Sequence, residues 1–238
     1  RKRIVVKVGT STLTHRTGML NIRRVEQLVK TLADIQNSGH EVILVSSGAI
    51  GLGMGKLGLR ERPKDTPGKQ ACAAVGQCEL MYLYDNLFAE YSITVAQMLL
   101  TKYILLEDRR KNVENAMERL IAHGVIPIIN ENDTVAIDEL ELEVGENDSL
   151  AATVAAIAKA DLLIIMSDID GLYDKDPHTY DDARLIPVVH EITDDIRALA
   201  GGAGTKLGTG GMITKLNAVE IAYDSDIDVV LMNGQHPK

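Results

Sequence analysis

Two lysines stand in this sequence where anion chemistry is a natural use for them. Lys7 stands next to last in the apolar, β-branched run from Arg3 to Val8, which is followed by Gly9, Thr10 and Ser11. An ammonium in the last turn of a buried strand is costly unless it reaches solvent or an anion. Backbone N–H groups and the Thr10 and Ser11 hydroxyls are phosphate donors in such a turn, although a lysine snorkelling from a strand end accounts for Lys7 taken alone. The second lysine lies in Gly208-Thr209-Gly210-Gly211-Met212-Ile213-Thr214-Lys215, a glycine-rich entry into a helix. Glycines at a helix start leave N–H groups facing outward, and the dipole adds roughly half a positive charge there. Lys215, one turn inside, is placed to meet the same anion. A flexible loop explains that segment by itself; the two lysines together point to phosphoryl transfer.

The third kind of segment is acidic. Asn130-Glu131-Asn132-Asp133 leaves a strand and Gly145-Glu146-Asn147-Asp148 enters a helix. A solvated turn accounts for either one, and Asp148 can serve as an N-cap. Two such clusters flanking one alternating segment suit a cationic group, an α-ammonium or Mg²⁺.

Other motifs fall short. Gly55-Lys56-Leu57 lacks the hydroxyl and the upstream glycine of a Walker A loop. Gly53-Met54-Gly55-Lys56-Leu57-Gly58 spells GxGxxG, but it begins too far from a strand end for a dinucleotide fingerprint. Asp168-Ile169-Asp170-Gly171 has its glycine too early for a calcium loop. Cys72 and Cys78, with no second pair, make neither a zinc site nor a redox motif and read as reduced thiols.

These residues need a frame. Apolar runs of strand length alternate with 3.6-period segments. Strands are expected at Arg3–Val8, Val42–Val45, Thr94–Leu99, Val125–Ile129, Leu162–Met166, Leu185–Val189 and Ile227–Met232. Helices are expected at Asn21–Ser38, Lys69–Tyr91, Glu107–His123, Asp148–Lys159 and Met212–Tyr223, and residues 134–144 alternate like an antiparallel ribbon. The order describes an α/β fold with a mostly parallel sheet. Ligands of such sheets sit at the carboxyl ends of strands, which selects Lys7–Ser11, Ser46–Gly51, Asn130–Asp133 and Ser167–Gly171.

The 238 residues suit a single domain, with 45% hydrophobic and 25% charged residues. The net charge of −9 and the absence of Trp argue against a nucleic-acid or anionic-membrane coat. No apolar run reaches the roughly 18 residues of a membrane span. No signal peptide is legible, and the expected compartment is the cytoplasm.

Taken in order, KVGTS at Lys7–Ser11, SSGAIGLG at Ser46–Gly53, QACAAVGQ at Gln70–Gln77, NENDTVA at Asn130–Ala136, GENDSLAA at Gly145–Ala152, SDIDGLYDKDP at Ser167–Pro177 and GTGGMITKLNA at Gly208–Ala218 resemble the amino acid kinase family. The resemblance spans nearly the whole chain and is strongest to its glutamate-phosphorylating branch. It implies a three-layer α/β/α sandwich and transfer of phosphate from ATP, with Mg²⁺, to the side-chain carboxylate of L-glutamate, the first step of proline synthesis. By the same resemblance Lys7 and Lys215 are catalytic. Ser47, Gly48, Asn130, Asp133, Asn147 and Asp148 bind the substrate. Lys7, Gly9, Thr10, Ser11, Ser167, Asp168 and Thr209, Gly210, Gly211, Met212, Ile213, Thr214 and Lys215 line ATP; the metal's protein ligands stay unassigned, Mg²⁺ being held mainly by the ATP phosphates, with Asp168 the favoured side chain to influence it. Residues 1–160 would form the substrate part and 161–238 the nucleotide part, without the C-terminal PUA domain of many relatives. A homo-oligomer and L-proline as feedback inhibitor are further implications. Glu146 stands where the family more often has Asp, and Thr205-Lys206-Leu207 enlarges the glycine-rich loop. The alternatives are a kinase of the same family with another acceptor, or a non-catalytic amino-acid sensor of this fold.

Overall fold

The computed structural model describes residues 1–15, 19–101, 107–135, 147–177, 179–201 and 209–235. Six strands, β1 (Arg3–Val8), β2 (Glu41–Ser46), β3 (Val95–Leu100), β4 (Ile126–Glu131), β5 (Leu162–Ser167) and β6 (Asp228–Asn233), form one sheet in the order β3-β4-β2-β1-β5-β6. Every pairing is parallel. Parallel neighbours require crossovers, and the described helices supply them: α1 (Thr10–Leu13), α2 (Ile22–Asn37), α3 (Ala49–Lys56), α4 (Thr66–Ala89), α5 (Glu107–Ala122), α6 (Asp148–Ala158), α7 (Asp194–Gly201) and α8 (Thr209–Tyr223).

Two cores line the two faces of the sheet, and strand parity assigns each side chain to one of them. Ile4, Val6 and Val8 of β1 pack with Val42 and Leu44 of β2, Ile126 and Ile128 of β4, and helices α2 and α4. Val5, Ile43, Val45, Ile129, Leu163 and Ile165 face the other way, onto α5, α6 and α8. Helix α6 is the most deeply buried, with Ala151, Ala152, Ala155 and Ala158 pressed against the sheet and α8. Its small side chains let the helix approach β1 closely, which matters below.

The Gly53–Gly58 motif has a packing explanation. Gly53 and Gly55 lie within α3, not in a turn off a strand. A Cβ on Gly53 would overlap the Cys72 carbonyl, and one on Gly76 of α4 would overlap the Ala49 carbonyl. The two helices therefore cross with backbone against backbone, which only glycine permits.

The six main strands and five long helices arise where the apolar periodicity places them, within a few residues. Leu185–Val189 is not a strand: Leu185 makes a single antiparallel bridge with Tyr173, and Val188 and Val189 are exposed. The place beside β5 is taken by β6, and among the described residues this run pairs with no strand of the sheet. The alternating segment 134–144 falls mostly on residues 136–146, and the loop variation at Thr205–Leu207 on residues 202–208; both lie outside the described residues. Helices α1, α3 and α7 carry no clear sequence signal, being four to eight residues long.

The glycine crossing sets a paired expectation. Gly76→Ala should destabilise the chain by about 3 kcal/mol or more, the upper range for overpacking. Gly55→Ala, whose Cβ would meet nothing within 4 Å, should stabilise it by about 0.5–1 kcal/mol through helix propensity. Urea denaturation of both variants checks the contrast, and equal effects would show that the crossing is not tight.

Candidate active site

Strand parity explains how a lysine comes to be inside the protein. Lys7 shares the face of Val5, so its side chain enters the layer of α6 and α8, where it is 1% exposed. Asp148, the first residue of α6, is fully buried, and its Oδ1 lies 2.7 Å from Lys7 Nζ. Its other oxygen, Oδ2, accepts from Lys215 Nζ of α8 at 3.2 Å. Lys215 also donates to the Gly211 carbonyl at 3.2 Å, and Thr214 Oγ1 donates to the same oxygen at 2.8 Å. The two catalytic lysines expected from the sequence thus converge, and one carboxylate holds both.

That carboxylate is the main difference from the sequence reading. Asp148 faces the two ammonium groups, so its charge is engaged there and not offered to a cationic ligand. It does not cap α6 either; the N-cap position is Asn147. Helix α8 begins at Thr209, earlier than the Met212 start expected, which places Lys215 nearly two turns inside. Its ammonium still reaches back to Gly211, because helical side chains lean towards the N-terminus. Nothing in the sequence marks Asp148 as the bridge, since the contact joins residues 141 and 67 positions away in the chain.

A Cβ on Gly9 would lie 3.4 Å from Lys7 Nζ, so the backbone turns over the ammonium at the head of α1. Ser47 and Gly48 follow β2. Gly48 has φ of 107°, in the left-handed region that favours glycine, and forms the N-cap of α3 with no side-chain cap. Among the described residues, the buried Ser47 hydroxyl has no hydrogen-bond partner. An orphaned hydroxyl beside an uncapped helix start fits an anionic oxygen. On β5 the Ser167 hydroxyl donates to Asp168 Oδ1 at 3.1 Å, next to the end of β6.

The two polar clusters also meet. Asn147 Nδ2 donates to Asn130 Oδ1 at 2.7 Å, and Asp133 sits half-buried in the turn after β4. Two residues of α4 hold these loops from behind. Asn130, on the parity of Ile128, donates to Gln77 Oε1 at 2.9 Å. Ser46, on the parity of Leu44, shares a 2.8 Å hydrogen bond with the buried Tyr84 hydroxyl and donates to the Ser47 carbonyl at 3.1 Å. Burial pushes the Tyr84 phenol well above its ordinary range, the bond to Ser46 opposing only in part. Sequence reasoning missed both α4 residues; two polar side chains seven apart on an apolar helix face were the available signal. Among the described residues no group of three acidic, His or Cys side chains is arranged to hold a metal. No helix there is long and apolar enough to cross a membrane.

The sequence profile of the Amino acid kinase family matches residues 2–233, and the chain belongs to that family. Curated relatives with the name glutamate 5-kinase are similar throughout. The protein from Clostridium perfringens is 53% identical over 240 residues, covering 100% of this chain and 89% of the relative. That from Clostridium tetani is 55% identical, covering 98% and 87%. That from Caldanaerobacter subterraneus is also 55% identical, but the chain spans only 62% of its length. Among solved structures, UMP kinase from Ureaplasma parvum superposes with a TM-score of 0.64 at 17% identity, over 100% of this chain and 92% of that one. Carbamate kinase from Giardia lamblia bound to AMP-PNP gives 0.65 at 17% identity, over 98% and 93%. These structures are alike in fold.

Two expectations follow from the geometry. Asp148→Asn leaves two buried ammonium groups without their counter-charge, so stability should fall by about 3–5 kcal/mol, as when one partner of a buried pair is removed. A melting curve tests this, and an unchanged midpoint would mean that the lysines are not buried against Asp148. For Tyr84 the folded pKa is raised, so its contribution is complete below the free phenol's value of about 10 and is lost as pH rises above it. Tyr84→Phe should therefore flatten the alkaline loss of stability between about pH 10 and 11 relative to the parent chain, read from melting midpoints against pH.

Proposed function

We propose that this chain phosphorylates the side-chain carboxylate of L-glutamate with ATP, giving L-glutamyl 5-phosphate and ADP. The observation that carries the reading is the buried Lys7–Asp148–Lys215 bridge. Its charges sum to one surplus positive charge (+2 − 1) among the described side chains, in an environment where water does not screen it. A relative's name alone does not say how this chain would do the chemistry; the bridge supports a route by charge stabilisation.

A glutamate carboxylate has a pKa of about 4.3 and is already ionised near neutrality, so no general base is needed. What remains is to bring two anions together and to stabilise the charge on the transferring phosphoryl group. Lys7 approaches that group from the sheet and Lys215 from α8, with Asp148 holding both ammonium groups at a fixed separation. Preorganised charges of this kind need not reorganise during reaction. The acceptor carboxylate sits towards Ser47 and the uncapped start of α3 at Gly48. Its amino-acid end lies towards Asn130, Asp133 and Asn147, so residues 1–160 supply the substrate side.

Residues 161–238 supply the nucleotide side, through Ser167, Asp168 and the first turns of α8. With Gly9, Thr10 and Ser11, the Thr209–Lys215 segment offers backbone donors to the polyphosphate. The donor set suits a divalent ion that arrives with the nucleotide, since the buried carboxylate is engaged by lysines and Asp168 is the exposed one. Mg²⁺ held in that way neutralises polyphosphate charge.

Steady-state ADP release with L-glutamate, aspartate, N-acetylglutamate and UMP decides the acceptor. Turnover should be highest with glutamate. Preference for another acceptor would move the chain elsewhere in its family, and glutamate binding without turnover would indicate a sensor. Lys215→Ala should lower kcat on the order of 10²–10³-fold, the usual loss for one transition-state contact, with glutamate binding retained. Near-normal kcat would remove Lys215 from the reaction.

A further inference from the structure

The residue between α6 and β4 that should cap its own helix does not. Asn21 caps α2 by accepting from Arg24 N–H at 3.2 Å, and Asp65 caps α4 by accepting from Gly68 N–H at 2.7 Å. Asn147, in the same position on α6, makes no side-chain cap. Such a cap is worth about 1 kcal/mol, so something else directs this amide.

A one-way chain of carboxamides does so. Asn147 Nδ2 donates to Asn130 Oδ1 at 2.7 Å, Asn130 Nδ2 donates to Gln77 Oε1 at 2.9 Å, and Gln77 Nε2 donates to Gln97 Oε1 at 3.0 Å. Either end of a carboxamide can in principle face a neighbour. Here the direction is set by a group that has no choice: the Glu131 backbone N–H donates to Asn130 Oδ1 at 2.9 Å. A backbone N–H only donates, so the atom facing it must be the oxygen, and Asn130 must then present its NH₂ to residue 77. Asn130 is 3% exposed, which makes an unmet amide there costly. Both lone pairs of Asn130 Oδ1 are used, by Glu131 and Asn147. The consequence reaches the far end: Asn147 has given its NH₂ away and keeps its Oδ1 as an acceptor, with no bond to it among the described residues.

We propose that Gln77 is a positioning residue for the amino-acid substrate. Its Oε1 meets the Asn130 NH₂ in the direction that the Glu131 N–H sets, and so supports the arrangement in which Asn147 offers a carbonyl oxygen, which suits a group able only to donate, such as an α-ammonium. The assignment rests on the glutamate-binding reading of Asn130 and Asn147. Its signature is polarity, not size. An acceptor at position 77 preserves the link to Asn130, even where it cannot donate onward to Gln97; a donor there faces the Asn130 NH₂ and pushes that amide to reverse, against Glu131 and Asn147.

The test compares Gln77→Glu with Gln77→Lys in initial-rate kinetics, varying glutamate and ATP separately, with a melting curve for each protein. Gln77→Glu should keep the glutamate KM within about threefold of the parent chain. Gln77→Lys should raise it about ten- to hundredfold, the span expected when a buried amide loses its partner, while the ATP KM stays within about twofold. Should Gln77→Lys fail to fold, Gln77→Met makes the same comparison, with similar length and no acceptor, and the same direction of change is expected. Equal glutamate KM values for the acceptor and non-acceptor variants, or parallel losses for both substrates, would overturn the assignment and leave the glutamate reading intact. A parent chain that turns over no glutamate would overturn both.

Discussion

One buried carboxylate, Asp148, organises the candidate active site of this protein. Two ammonium groups inside a protein repel each other and lose their hydration, and neither is tolerable without a counter-charge. Asp148 supplies it to Lys7 through one oxygen and to Lys215 through the other. The arrangement works only if β1, α6 and α8 are held in one register. The alanine-rich face of α6 achieves this by letting the helix lie close against the sheet and α8. The core and the active site are thus one packing problem: larger residues at Ala151 or Ala155 would move the carboxylate as well as the helix.

The opposite layer does a different job. On the α2 and α4 side the polar contacts that reach the candidate site's loops are uncharged. Tyr84 fastens the Ser46–Ser47 turn, and Gln77 fastens Asn130. Both come from α4, whose backbone is pressed against α3 at Gly53 and Gly76. The helix that follows the Ser47–Gly48 turn is therefore clamped to the helix that orients the turn. Charge is stabilised from one face of the sheet, and hydrogen-bond geometry is set from the other.

A net charge of −9 surrounds this locally positive site. The two facts are compatible because surface charges act through water, with a screening length of about 8 Å at physiological salt, whereas Lys7, Asp148 and Lys215 act on one another in a dry interior. Composition argues against a nucleic-acid coat but has no authority over a site built from three buried groups.

The sequence by itself determined the fold class, the positions of the main strands and long helices, and both lysines. These depend on local signals: apolar period, a charged residue near a strand end, glycines at a helix start. It misassigned Leu185–Val189, because a β-branched run reports strand propensity but not whether a sheet edge is open to it. The roles of Asp148, Gln77 and Tyr84 were decided only in the tertiary structure. An Asp at a helix start, a Gln in a helix and a Tyr on an apolar face are ordinary locally. Their meaning comes from partners far along the chain: Lys7 and Lys215 for Asp148, Asn130 for Gln77, Ser46 for Tyr84. Strand parity is what aims Lys7, Ser46 and Asn130 at those partners. A sequence shows that parity as alternation, but which face receives which helix is settled only when the layers pack.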